Sequence, residues 1–334
     1  MVRITGYYLI AIFIVTSTGC VKDTRPDFGE SKPLYVLEAR ISNMQGPYFV
    51  RVTRSTNSLG YQPAYPTAAD ADSAEPVKNA LVIMTDDRGV ADTLISAGST
   101  NRAIVHYINR NGQLDSYTAF INDLPSPWYT ADRGYYETTK ITGAPGHTYH
   151  LTVRIDTSAF QASAYMPDIA PLDSTVLKET SIEPGKSSGY LPFVYFKEPR
   201  NEKNYYLLQY NNIDMYTSDN PYLFSYNPSI FPYYVVDDKI LAPYVNGLPV
   251  RVIISAHSPY ESGYPYIPSN ATIQVRLSSL TEDAYRYFNA LNEQFQDDGN
   301  VYRPVPSSPT GNISNGALGF FYATAVSYKL ILPQ

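Results

Sequence analysis

The chain is nearly without cysteine. It has one, Cys20, in 334 residues. A disulfide framework is therefore excluded, as is a zinc site built on thiolates. Histidine is scarce as well, with four residues and no H-E-x-x-H pair, so zinc chemistry on a helix has no sequence basis. Long apolar runs are missing too. The apolar stretch "YYLIAIFIV", Tyr7–Val15, is nine residues, against the ~20 that a membrane-spanning helix needs. Basic excess is absent: 25 Lys and Arg face 31 Asp and Glu, for a net charge of -6. That balance excludes the electrostatic footprint of a nucleic-acid partner and disfavours adhesion to an anionic membrane surface.

The single cysteine has an informative position. Arg3 and the amino terminus give a short positive start, and Tyr7–Val15 follows as an apolar stretch. Then come Thr16, Ser17, Thr18 and Gly19, directly before Cys20. Charged start, short apolar segment and small-residue exit, in that order, are the parts of a secretory signal. A cysteine at the first position after the cut is the lipoprotein version, in which the thiol receives a diacylglyceryl group. Ser17 stands where the lipobox usually has Leu. The competing reading is an N-terminal core strand with an incidental buried thiol. The expectation is that residues 1–19 are a signal peptide and that Cys20 is acylated. Each buried acyl methylene contributes about 0.8 kcal/mol, and two or more chains anchor stably. Residues 20–33, including "VKDTRPDFGESKP", are polar and read as the lipidated tether.

What the chain has in quantity is tyrosine, 32 residues, together with 26 prolines. Tyrosine favours strands and proline breaks helices. The expected class is mostly β, with short strands and ordered loops. Alternation of apolar and polar residues marks strands in "LYVLEARI", "YFVRVTRS", "NALVIMTDDRG", "RAIVHYI", "SYTAFI", "GHTYHLTVRID" and "FQASAYMP". Their length and spacing predict a β-sandwich-like domain over 34–166, of the immunoglobulin or transthyretin kind. A boundary near Pro167 leads to a second, Tyr-rich β domain over 167–334, with strands in "YLPFVYFKEP", "NYYLLQYNN", "LPVRVIISAHS" and "SYKLIL". One helix is predicted, near 281–296. Thr281 caps it, Glu282 and Asp283 suit its positive end, and Ala284, Tyr287, Phe288, Leu291 and Phe295 form an apolar stripe.

Several patterns touch on chemistry. "GKSSG", 185–189, has the spacing of a nucleophile elbow around Ser187, but a proline precedes it and a strand follows, the reverse of the strand–turn–helix context the elbow needs. It reads better as a polar hairpin loop; a serine hydrolase is the remote alternative. His147 and His150 are three apart, so on a strand they face opposite sides and cannot share a metal. His106 and His257 are isolated. The pairs Asp86-Asp87, Asp237-Asp238 and Asp297-Asp298 fall at turns and read as solvated. The loop with Asp70, Asp72 and Glu75 lacks the Gly and terminal Glu of an EF-hand. No catalytic residue, metal site or cofactor is expected. Twelve tyrosines lie between Tyr205 and Tyr266, and aromatic faces stack on sugars and apolar ligands. Tyr205, Tyr206, Tyr216, Tyr222, Tyr233 and Tyr234 are therefore candidate ligand-binding residues, with core filling as the competing reading. Asn270 and Asn312 sit in N-x-S/T triplets.

The layout as a whole resembles a known family. Cys20 and its tether, "YVLEARISNMQGPYFVRVTRS", "GHTYHLTVRIDTSAFQASAYMP", "LTEDAYRYFNALNEQ" and the closing "GNISNGALGFFYATAVS" are similar to the Bacteroidetes lipoproteins of the domain-of-unknown-function 4249 family. These motifs are structural and carry no active-site residues. The resemblance implies an outer-membrane lipoprotein encoded beside a TonB-dependent transporter, hence an accessory or cargo-binding partner of such a barrel. The alternative is a stand-alone glycan- or peptide-binding adhesion module. "CVKD" partly resembles that phylum's surface-export signal, which favours the cell surface over the periplasmic face. The resemblance also brings in the phylum's O-glycosylation triplets, matched by Asp72-Ser73-Ala74, Asp92-Thr93-Leu94 and Asp173-Ser174-Thr175.

Overall fold

The computed structural model describes residues 33–55, 74–97, 102–108, 114–120, 133–181, 188–200, 202–212, 234–250, 273–296 and 309–332. Its strands, in chain order, are β1 (Tyr35–Ser42), β2 (Phe49–Arg54), β3 (Glu75–Pro76), β4 (Leu81–Asp86), β5 (Ala91–Thr93), β6 (Ile95–Ser96), β7 (Arg102–Ile108), β8 (Leu114–Phe120), β9 (Tyr135–Glu137), β10 (Thr148–Ile155), β11 (Ser158–Tyr165), β12 (Leu172–Ser181), β13 (Ser188–Lys197), β14 (Tyr205–Asn212), β15 (Tyr234–Asp237), β16 (Tyr244–Pro249), β17 (Ile273–Leu280), β18 (Leu318–Thr324) and β19 (Val326–Ile331). The one α-helix among the described residues is α1 (Glu282–Gln296). The fold is mostly β and sandwich-like, as the composition predicts. No helix among the described residues is long and apolar enough to cross a membrane.

The first core lies between two sheets. One runs β18-β1-β2-β9-β6, with β3 beside β2, and the other runs β11-β10-β4-β5. The clean alternation read in "GHTYHLTVRID" is visible in β10, where Tyr149, Leu151, Val153 and Ile155 are buried and the residues between them are not. β11 continues from it across a tight turn, in register from Ile155↔Ser158 to Thr148↔Tyr165. Asp156 takes φ 50 in that turn, a left-handed conformation that Asp tolerates better than most residues. From the facing sheet come Leu37, Ala39, Ile41, Val50 and Val52. Each large apolar side chain so removed from water contributes about 1.5–3 kcal/mol. Met166 belongs to this core and Ala170 to the next, on either side of Pro167. The first core is completed from the far end of the chain by Ile313, Ala317, Phe321, Ala323 and Ala325. That completion follows from β18, which pairs in parallel with β1 from Val36↔Leu318 to Ser42↔Thr324.

The second core lies between the sheets β12-β13-β16 and β15-β14-β17-β19. It holds Leu177, Val194 and Phe196 from one side, and Tyr206, Leu208, Tyr210, Val275 and Leu277 from the other. β14 and β17 are covered on both faces. Tyr205, Leu207 and Leu280, on the reverse side, pack with Ala284 and Phe288 of α1 and with Phe320 of β18. The helix starts as predicted: the Thr281 hydroxyl accepts from the Ala284 N–H at 3.3 Å. α1 thus bridges the reverse side of the second sandwich and the end of the first, and this position creates the cleft described next.

Candidate functional site

Of the six candidate tyrosines, Tyr205 and Tyr206 are 5% and 2% exposed. The reading of them as ligand-facing rings is corrected. They sit on a central strand buried on both faces, so neither ring can reach a ligand from solvent. Tyr205 lies against Tyr285, ring centroids 4.7 Å apart. Tyr206 donates its hydroxyl to Glu198 Oε2 at 2.8 Å. Tyr234 is half-buried on β15. Tyr216, Tyr222 and Tyr233 lie outside the described residues, as do Cys20, Ser187, Asp70, Asp72, His257, Asn270 and Asp297-Asp298. His147 and His150 are engaged separately, with Asp87 at 2.8 Å and with Ser163 at 2.8 Å. Among the described residues no group of three or more His, Cys, Asp or Glu side chains is placed to hold a metal ion.

Two carboxylates are interior, and one of them, Asp86, is read from the sequence as solvated at a turn. Asp86 accepts the backbone N–H groups of Arg88 and Val90 and the Arg88 guanidinium at 2.6 Å. Burial pushes its carboxyl up, but these donors outweigh that and hold it below the usual range. Asp92 is 0% exposed. It accepts the N–H groups of Thr139, Lys140 and Ile141 at 2.8, 2.8 and 3.0 Å, and the Thr139 hydroxyl at 2.6 Å. Here too burial raises the pKa and the donors more than reverse it. Glu198 goes the other way. It receives Tyr206 at 2.8 Å and Asn204 at 3.0 Å, but burial dominates and raises it. Asp237 caps a short 3-10 turn by accepting from Lys239 N–H at 3.0 Å. These groups hold loops and strand ends together. Thr93 and Ser174 of the O-glycosylation triplets are exposed. Asn312 donates its amide to Phe321 O at 2.7 Å and accepts from Phe321 N at 2.8 Å, so it is a structural bridge.

Among the described residues, a binding geometry is offered by a cleft of about 450 Å³ beside α1. Its helix side presents Asp283, Arg286, Tyr287 and Ala290, spaced three, four and seven along one stripe. The facing wall is Thr310, Gly311 and Asn312, with Phe320 of β18 between them. Tyr287 and Phe320 stack, centroids 4.5 Å apart and planes at 25°. Burial pushes the Tyr287 phenol up to about 12, with Glu38 and Tyr322 adding to it. The far wall is fixed by close backbone approach. A Cβ on Gly311 would sit 2.2 Å from Gly319 O, and one on Gly319 would sit 2.0 Å from Leu37 O. Only glycine lets the wall, β18 and β1 pack this tightly. Arg286 is paired with Glu282 at 2.6 Å, and Glu282 also meets Lys203 at 3.5 Å.

The match to known families can now be set beside this geometry. The family model described as "Domain of unknown function (DUF4249)" matches residues 21–329, nearly the whole chain. The chain belongs to the DUF4249 family. No curated protein and no solved structure matches it. The DUF4249 match covers both sandwich cores, α1 and the wall of the cleft. The sequence placed Tyr287 in the helix's apolar stripe and Asp283 at its positive end, but did not join them into a site. The one usable signal was the polar residues flanking that stripe at helical spacing. The facing wall comes from about 25 residues later in the chain and carries no such signal.

Proposed function

We propose that the mature protein is a non-enzymatic lipoprotein of the Bacteroidetes outer membrane, anchored through acylated Cys20 and favouring the cell surface. It serves a TonB-dependent transporter as an accessory or cargo-binding partner. The observation that carries the anchoring is the N-terminal order of Arg3, Tyr7–Val15, four small residues and Cys20. The family domain begins at residue 21, directly after that cysteine, which supports a folded module placed behind a lipid. The transporter partnership rests on the family resemblance, and so is an argument by analogy. Capture of the full-length chain from gently extracted native membranes tests it. A TonB-dependent barrel in comparable amount is the expected result; a lone lipid-anchored chain overturns the partnership.

The second reading is a stand-alone binding module. The cleft beside α1 favours it, where the Tyr-rich strand β14 does not. Its volume falls within the range of about 300–1,000 Å³ common for small-molecule sites.

A further inference from the structure

We propose that the cleft beside α1 binds one or two rings of a neutral saccharide. This rests on the cargo-binding part of the reading above and names the class of cargo. Three observations converge. First, the floor is aromatic: half-buried Tyr287 lies stacked on Phe320, and the C–H face of a sugar ring packs on such a surface. Second, the rim is polar but balanced. Asp283 lines the cleft with no hydrogen-bond or ion-pair partner among the described residues. Arg286 is already neutralised by Glu282 at 2.6 Å. Lys203 also meets Glu282, at 3.5 Å, so the two acids and two bases around the helix start cancel, which gives a charged ligand no advantage. A hydroxyl both donates and accepts, so sugar hydroxyls suit the Asp283 acceptor, the Arg286 donors and the Thr310 hydroxyl together. A purely apolar ligand would leave Asp283 desolvated and unpaired. Third, the walls are preset. Gly311 rides on Gly319, and Asn312 is clamped to Phe321, so little ordering opposes binding.

The test uses full-length protein in a detergent that carries no sugar headgroup. Cellobiose, maltose, lactose and N,N′-diacetylchitobiose are the probes, with glucuronic acid and glycylglycine as charged comparators. Saturation-transfer NMR is expected to mark the ring C–H protons of at least one disaccharide and neither comparator. Asp283→Ala, at an exposed position, removes the side-chain acceptor and should weaken that binding about tenfold or more. Ala290→Trp fills the cleft and should abolish it. Tyr244→Ala, at an exposed position of β16 away from the cleft, should leave it unchanged. Absence of transfer from all four disaccharides overturns the inference, as does binding that survives both Asp283→Ala and Ala290→Trp, or equal binding of a comparator. Barrel capture with the wild type and with the Ala290→Trp chain separates the two ideas. In the wild type, capture retained with no transfer from any disaccharide sinks only the saccharide, and capture lost sinks the partnership; Ala290→Trp should keep capture while losing the sugar.

Discussion

Asp92 is where a single substitution should do the most damage for the fewest atoms removed. Its carboxylate is fully buried and receives three backbone N–H groups and one hydroxyl from the 139–141 loop. Asp92→Ala deletes the acceptor for all four. The Ile141 N–H is buried and left without its partner, at a cost of about 1–3 kcal/mol. The Thr139 and Lys140 groups lie closer to solvent and recover water, so each loses only the excess of a charge-assisted bond, roughly 1 kcal/mol. Together Asp92→Ala should lose about 4–6 kcal/mol of unfolding free energy. Asp92→Asn keeps one acceptor oxygen and the volume, and should lose about half as much. The two variants also differ from wild type in pH dependence. The folded carboxyl is held below its unfolded value of 3.8, so its contribution is present above that value and disappears as pH falls through the folded pKa. Asp92→Asn should erase that part of the acid limb. Urea titrations followed by circular dichroism, at neutral pH and near pH 3, measure both effects. Asp92→Ala within 0.5 kcal/mol of wild type, or an Asn variant as damaged as the Ala variant, would refute the reasoning.

Gly319→Ala should cost about 3 kcal/mol or more, because φ is +100 and the new Cβ falls 2.0 Å from Leu37 O; a melting temperature equal to wild type would show that β18 does not pack on β1 in this way. Glu198 should behave oppositely to Asp92 with pH. Its folded pKa is raised by burial, so its contribution is complete below the unfolded value of 4.5 and is lost as pH rises through the folded pKa. Wild type should therefore lose stability relative to Glu198→Gln across that window, and a pH-independent difference between the two would contradict it.

Much of the fold was legible where one face is wet. β10 and β11 alternate in sequence because one side meets the core and the other meets water, and the sequence expectation and the strand coincide. β12 was hidden for a different reason. It is an edge strand whose Asp173, Ser174, Lys178 and Glu179 are exposed, with Leu172 and Leu177 buried five positions apart, so no apolar alternation marks it as a strand. β17 shows the opposite mismatch between pattern and burial. Gln274, Arg276 and Ser278 alternate with apolar residues, yet all eight positions of the strand are buried. Arg276 is accommodated by Gln274 at 2.8 Å, a pairing that composition does not announce. The parallel return of β18 to β1 joins residues some 280 positions apart, and periodicity says nothing about such pairings. The cleft was illegible for the same cause: one wall is a helix stripe visible in sequence, and the other arrives with β18. The burial of Tyr205 follows from the helix lying across the reverse side of β14, and that of Tyr206 from the facing sheet with Val194 and Phe196; tyrosine density alone reveals neither.

The claim on which the proposed localisation depends is that Cys20 carries lipid. Metabolic labelling with an alkyne analogue of palmitate tests it on the wild type and on Cys20→Ser, with circular dichroism as the check on folding. The expected result is label on the wild type, none on the variant, and the same β spectrum for both, since the thiol precedes the family domain at 21–329. An unlabelled wild type, or a Cys20→Ser chain that fails to fold, would make Cys20 a structural residue and remove the basis for the outer-membrane assignment.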